Sequence, residues 1–192
     1  MNAPLIPPIK VPEPLFQLKG YLVWKFVQKP GEQKPRKVPF YHDGHHRSGK
    51  QGGADDRVAL GTFKQASAKH QKGGFDGIGL AMLREFGIVA LDFDNCIIDD
   101  QIMPEVLELI GDTYSEISPS GNGIRAFMRG TLPSRKSPTK GNAFGFETFH
   151  ENGFVTITGN PTWICDLVGN QDIICDVTPG TGVVRGAIRG RI

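Results

Sequence analysis

Two aspartates stand two residues apart inside one apolar run, Ile88-Val89-Ala90-Leu91-Asp92-Phe93-Asp94-Asn95-Cys96-Ile97-Ile98. This feature limits what the chain can fold into more than any other. In an extended strand, residues i and i+2 point to the same face. The spacing therefore predicts Asp92 and Asp94 side by side, with Leu91 and Phe93 anchoring the strand from the other face. Two carboxylates that close repel, and burying either one unpaired is costly. A hard divalent cation such as Mg²⁺ or Mn²⁺ removes the conflict, because oxygen ligands on adjacent strand positions suit it. The competing reading is an edge-strand pair that faces solvent.

With 192 residues, the chain is long enough for one ordinary domain with a full core. No apolar run approaches the ~20 residues that span a bilayer, so no membrane is expected. The proline-rich start, residues 1–19, reads as an arm or surface strap without a signal-like apolar core. The three cysteines, Cys96, Cys165 and Cys175, form no CxxC pair and no even disulfide set. They read as reduced thiols in a cytoplasmic protein, with Cys96 in a core position. The cluster His42, His45 and His46 lies on a glycine-rich stretch and reads as a solvated loop.

A net charge of +2 is too small to argue for nucleic acid, but its distribution adds something. Lys25, Lys29, Lys34, Arg36, Lys37, Arg47 and Lys50 crowd one segment, and Arg125, Arg129, Arg135, Lys136 and Lys140 another. Basic segments flanking an acidic centre suit a polyanion held by its phosphates.

Strands are expected at 20–27, 37–41, 77–83 and 88–98, with hairpins formed by 114–118 with 124–128 and by 144–149 with 154–158. Helices are expected at 62–72 and 104–110, the second opened by Pro104 and stopped by Gly111. The turn Ser118-Pro119-Ser120-Gly121-Asn122-Gly123 feeds a strand that presents Arg125. Glycines admit an anion to the backbone, and a guanidinium forks onto phosphate oxygens. Glu147 is a lone carboxylate on a strand otherwise made of aromatics. A third acid beside an Asp pair is what two-metal phosphoryl transfer needs.

The order Trp24, Lys37-Val38-Pro39-Phe40, Gly77-Ile78-Gly79-Leu80, Leu91-Asp92-Phe93-Asp94, Ser118 to Gly123, Phe146-Glu147-Thr148-Phe149 and Thr156-Ile157-Thr158-Gly159-Asn160 resembles the primase-polymerase catalytic domain. That domain belongs to the archaeo-eukaryotic primase superfamily, in the version found in phage and plasmid replication proteins. The likeness covers residues 20–165 and implies a catalytic domain over 20–177 followed by a Gly/Arg-rich tail or linker over 178–192. It implies an α/β (α+β) fold, with an RRM-like antiparallel palm sheet bearing the acids and an N-terminal α/β module alongside to form a cleft. By the same likeness Asp92, Asp94 and Glu147 hold Mg²⁺ or Mn²⁺. Ser118, Ser120, Gly121, Gly123 and Arg125 hold the incoming dNTP or NTP, and Lys37 touches template or triphosphate. The expected partners are a single-stranded DNA template and a helicase, attached or separate, in a bacterial host or virus-encoded. Two positions depart from the pattern: many relatives carry histidine where this chain has Arg125, and arginine near Gly153-Phe154. A haloacid-dehalogenase-like phosphatase shares the DxD, but the hairpins expected after Asp94 do not suit its alternating βα units. A non-enzymatic alternative is a primase-like module that binds single strands or an origin in a replication initiator.

Overall fold

The structure is a computed structural model that describes residues 9–132, 145–163, 175–177 and 184–186. It has the expected mixed α+β architecture of antiparallel sheets with few helices. The chain divides into two compact units, residues 1–81 with 152–159, and residues 82–151 with 160–192. No helix among the described residues is long and apolar enough to cross a membrane.

In the first unit a helical turn, α1 (Glu13–Phe16), precedes β1 (Lys19–Val27), β2 (Arg36–Phe40), α2 (Ala54–Ala59), β3 (Gly61–Thr62), α3 (Phe63–Gln71) and β4 (Gly77–Ala81). β11 (Phe154–Ile157) completes a sheet of order β11-β4-β1-β2, with β3 also on β1. β1 lies inside the sheet, and Gly20 through Trp24 are buried in succession. β2 is the edge strand that its Pro39 requires. A Cβ on Gly77 would sit 2.9 Å from Trp24 Nε1, so glycine there admits the indole, whose N–H donates to the Ile78 carbonyl at 3.0 Å. α3 begins where the sequence says. Thr62 accepts from the Gln65 amide at 3.3 Å, and Gln65 Oε1 accepts from the Thr62 amide at 2.8 Å, a reciprocal capping box. Phe63, Ala66 and His70 form its buried face, at i, i+3 and i+7.

The first unit also contains a buried clamp. Arg47 Nε and Nη2 donate to the two Asp56 carboxylate oxygens at 2.9 and 2.7 Å, and both side chains are 1 % exposed. Tyr41 Oη donates to Asp56 at 2.9 Å, the Gly52 amide donates at 2.7 Å, and Arg47 Nη1 donates to the Gly153 carbonyl at 3.0 Å. Arg47 was grouped with the basic residues that suit a polyanion; its pairing with Asp56 inside the unit takes it out of that set. Burial pulls the Asp56 carboxyl upward, but hydrogen bonds from Arg47 and Gly52 outweigh it and hold the group below its usual range.

The second unit runs through β5 (Ile88–Phe93), a hairpin of β6 (Ile97–Ile98) and β7 (Gln101–Ile102), α4 (Pro104–Ile110), β8 (Ser115–Ile117), β9 (Ile124–Arg129), β10 (Glu147–Phe149) and β12 (Pro161–Trp163). Its sheet order is β10-β5-β9-β8-β12, all antiparallel. β13 (Cys175–Val177) and β14 (Val184–Gly186) pair separately. One face of the sheet carries Val89, Leu91, Phe93, Ile124, Ala126 and Met128, packed with Val106 and Ile110 of α4 and with Cys96. The Phe93 and Phe146 rings stack at 4.8 Å. α4 starts at Pro104 and ends at Gly111, as its sequence requires.

The expected hairpin of 144–149 with 154–158 does not form; its first residue lies outside the described residues. β10 pairs with β5, and β11 pairs with β4 in the other unit. Glu151-Asn152-Gly153 looks locally like a hairpin turn, but burial decides otherwise. Val155, Thr156 and Ile157 are buried in the first sheet, where Gly79 leaves room for the Phe154 ring. Phe146 instead joins the core of the second.

Cys96 fills the core position expected of it. Burial pushes its thiol up to about 11, so only about a thousandth would be thiolate at pH 8. Thiol labelling of the folded protein, mapped by peptide, is expected to leave Cys96 unmodified until denaturant is added. Labelling at the rate of an exposed cysteine would contradict its burial.

Candidate active site

The second sheet sets one row of charged residues side by side. In the β10–β5 pairing Glu147 lies opposite Asp92, in β5–β9 Asp92 lies opposite Arg125, and in β8–β9 Arg125 lies opposite Glu116. Directly opposed residues share a face, their Cβ atoms about 4.5–5.5 Å apart. Glu147, Asp92, Arg125 and Glu116 thus form a row on the face opposite the α4 core. Exposure falls along it: Glu147 is exposed, the Asp92 side chain 17 % exposed, Arg125 4 % and Glu116 0 %.

Like charges directly opposed across strands destabilise a sheet, so the Asp92–Glu147 pair needs a positive charge nearby. Arg125 supplies one. Its Nε lies 3.2 Å from Asp92 Oδ1, and its Nη2 donates to Oδ2 at 3.3 Å. Arg125 was expected to clamp phosphate; here it is the buried counterion of Asp92.

Asp94 departs from the side-by-side expectation. β5 ends at Phe93, and the chain bends through Asp94 to Asn95, which has φ +52°. Asp94 consequently leaves the strand register and lies against the entry to β10. A Cβ on Gly145 would sit 3.0 Å from the Asp94 Cβ, which glycine at φ +53° avoids. Among the described residues, no three His, Cys, Asp or Glu side chains are grouped as they stand into a metal site.

The Ser118–Gly123 turn closes the β8–β9 hairpin beside the end of β5. The Ser118 amide donates to the Gly123 carbonyl at 2.8 Å, and Gly121 N donates to the Ser118 carbonyl at 2.9 Å. The Ser118 and Ser120 hydroxyls meet at 2.9 Å. Asn122 Nδ2 donates to Asn95 Oδ1 at 2.9 Å, which ties the turn to the segment carrying Asp94. Ser118 is buried, whereas Ser120, Gly121 and Asn122 are exposed. Gly123 is fixed by space: a Cβ would lie 2.6 Å from the Phe93 carbonyl oxygen. Gly123→Ala is expected to cost about 1–3 kcal/mol by forcing the turn off β5, read as a lowered denaturation midpoint. An unchanged midpoint would contradict the close approach.

The structure thus brings Asp92, Glu147 and Arg125 into one row, with Asp94 and the turn at its end. Lys37 belongs to the first unit, on β2, its Nζ 6.0 Å from the centre of the Trp24 ring. Of the three histidines, His45 pairs with Asp43 at 3.0 Å, and the His46 and Phe40 ring centres lie 5.4 Å apart in a T-shaped contact. Arg135, Lys136, Lys140 and Cys165 lie outside the described residues. Glu116 is the residue that sequence reasoning missed. Counting outward from the expected hairpin turn would have found it, since 118 opposite 123 puts 116 opposite 125.

No family model matches the chain. In an alignment 165 residues long that covers 80% of the chain, it is 26% identical to a protein named DNA primase-polymerase from Nitratiruptor phage NrS-1. The chain spans about a fifth of that relative's length (20%).

Proposed function

We propose that this chain is a nucleotidyltransferase domain that primes or extends DNA on a single-stranded template, in phage or plasmid replication. The observation that carries the reading is the cross-strand pairing of Glu147 with Asp92, beside Asp94. Three carboxylates on an accessible sheet end are a hard-oxygen donor set that fits Mg²⁺ or Mn²⁺. Gathering them requires Asp92 to exchange Arg125 for the ion. When bound, such an ion neutralises a triphosphate and acidifies an attacking hydroxyl.

The chain's own groups do the rest. Glu147 and Asp94 are both exposed, so an incoming nucleotide and its ion can reach them. Of the turn residues assigned to its phosphates, Ser120 and Gly121 are exposed and Ser118 and Gly123 brace them from the buried side, and Arg125 adds a positive charge beside them. In-line attack of a 3′-hydroxyl on the α-phosphate then transfers the nucleotide and releases pyrophosphate. Lys37 is assigned to template or triphosphate. A helicase partner and a site of action in the bacterial cytoplasm belong to the same reading.

The test uses single-stranded DNA, dNTPs or NTPs, and Mn²⁺ or Mg²⁺ with the 192-residue chain. Metal-dependent primer synthesis or extension is the expected result. DNA binding that needs no metal and yields no product would instead favour a binding module of a replication initiator, which the resting Asp92–Arg125 pair would suit.

A further inference from the structure

We infer that the first unit carries a separate binding surface for single-stranded nucleic acid, built from Lys25, Phe40, Phe75 and Lys69, with His46 at its margin. Cross-strand register places it. Val23 lies opposite Phe40 and Phe26 opposite Lys37, and residues along β1 alternate between the two faces. Lys25 and Phe40 therefore share one face of the sheet, and Phe26 and Lys37 share the other. Lys25 Nζ stands 4.9 Å from the centre of the Phe40 ring and 5.5 Å from that of Phe75. Lys69, in the last turn of α3, brings its Nζ to 5.5 Å from the same Phe75 centre. The Phe40 and Phe75 ring centres are 5.5 Å apart, and the exposed His46 ring completes the row against Phe40.

Rings and ammonium groups together fit a polymer of flat bases and phosphates. Lys25, Phe40, Phe75 and Lys69 are all half-buried, so each is anchored and still offers surface. Neither lysine is paired with a carboxylate among the described residues. Lys25 rests on the two rings, and Lys69 on Phe75 and on the Asp43 carbonyl oxygen at 3.2 Å. The acids nearby in sequence have other partners, His45 at 3.0 Å for Asp43 and the Phe26 amide at 2.6 Å for Asp76. The two ammonium charges are thus available to phosphate. At a half-exposed position an ammonium is held only weakly on a ring. A base can take the ring face while the released lysine turns to a phosphate of the same strand, and no ion pair has to break. The approach is open, because Gly73 and Gly74, just before Phe75, have nothing within 4 Å of where a Cβ would stand. An acidic peptide would engage the lysines and leave the rings without a role. The surface shares no residue with the proposed metal site, which belongs to the second unit, and its test needs neither metal nor nucleotide.

The probe is a fluorescent oligothymidylate, its binding to the 192-residue chain followed by anisotropy in EDTA, beside an abasic strand of the same length. Phe75→Leu keeps an apolar side chain and removes the ring. It is expected to weaken oligothymidylate binding about fivefold or more and to leave the abasic strand within about twofold. Lys25→Gln with Lys69→Gln removes both charges and keeps most of each stem. For both strands it is expected to flatten the log–log salt dependence of binding by about 0.7 per lysine. Lys29→Gln, at an exposed lysine of the β1–β2 loop, is the comparison and is expected to leave the slope unchanged. Phe75→Leu that binds oligothymidylate like the parent, or that weakens both strands equally, overturns the inference. So does an unchanged slope in the lysine variant, or an equal flattening in Lys29→Gln. Should Phe75→Leu not fold, the lysine variant alone decides. Polyglutamate that displaces oligothymidylate and depends equally on Phe75 would give the surface to an acidic protein segment and overturn the inference too. Metal-dependent synthesis is measured separately, so either reading can fail while the other stands.

Discussion

Replacing Asp92 with asparagine is expected to lower metal-dependent nucleotide addition by about 10³-fold while leaving single-strand binding nearly unchanged. The substitution keeps the side chain's size and an oxygen to accept from Arg125, and removes the charge that an ion needs. Asp92 is the hinge of the row, opposed by Glu147 on one side and Arg125 on the other. Losing its charge both removes a ligand and leaves Arg125 less compensated, so a stability loss of about 1–3 kcal/mol accompanies the loss of activity. Glu147→Gln is expected to lose activity to a similar degree with less effect on stability, because Glu147 is exposed. Asp99, an exposed acid at the tip of the β6–β7 hairpin with φ +49°, is the control, and Asp99→Asn is expected to leave activity unchanged. Primer extension measured beside the thermal midpoint separates the two effects. Asp92→Asn activity within tenfold of the parent would contradict the assignment.

The largest effect on stability is expected at Asp56. Asp56→Ala strands Arg47 in a dry site and removes the acceptor for Tyr41 and the Gly52 amide, an expected cost of about 3–5 kcal/mol. The pH dependence follows from the same contacts. The Asp56 carboxyl lies below its unfolded value near 3.9, so its stabilising contribution is present above that pH and is lost as pH falls through the lower, folded value. Tyr41 shifts the other way. Burial, helped by the Asp56 carboxylate, raises its phenol, so its contribution is complete below about pH 10 and is lost as pH rises beyond it. Urea denaturation across pH is expected to show a loss of stability below about pH 4 that is smaller in Asp56→Asn. An identical acid limb in both proteins would place the clamp's energy elsewhere.

Local signals in the chain were read correctly wherever a short segment decides its own structure. The α3 start at Thr62, the Pro104-to-Gly111 helix, the β1–β2 and β8–β9 hairpins and the core position of Cys96 all follow from caps, turns and alternation. What failed depends on partners far away in sequence. Glu151-Asn152-Gly153 has hairpin chemistry, yet the strands it joins bury their side chains in different sheets. Arg47 looks like one more loop cation until Asp56 closes around it. The Asp92–Asp94 spacing implies neighbours on a strand, but the strand stops at Phe93, a boundary no pattern of alternation reveals. At the site, the register that sets Glu147 opposite Asp92 depends on β10 crossing to β5, which no local pattern reveals. The buried pair of Arg125 with Asp92, and Glu116 behind it, were legible only through the β5–β9–β8 register.

The most direct measurement is a crystal of the protein soaked with Mn²⁺ and a nucleoside triphosphate, with data collected to locate the manganese by its anomalous signal. The account predicts a peak bonded to carboxylate oxygens of Asp92, Asp94 and Glu147, with Arg125 withdrawn from Asp92 and the triphosphate along the Ser118–Gly123 turn. A peak elsewhere, with Asp92 still paired to Arg125 and the nucleotide absent from the turn, would contradict it.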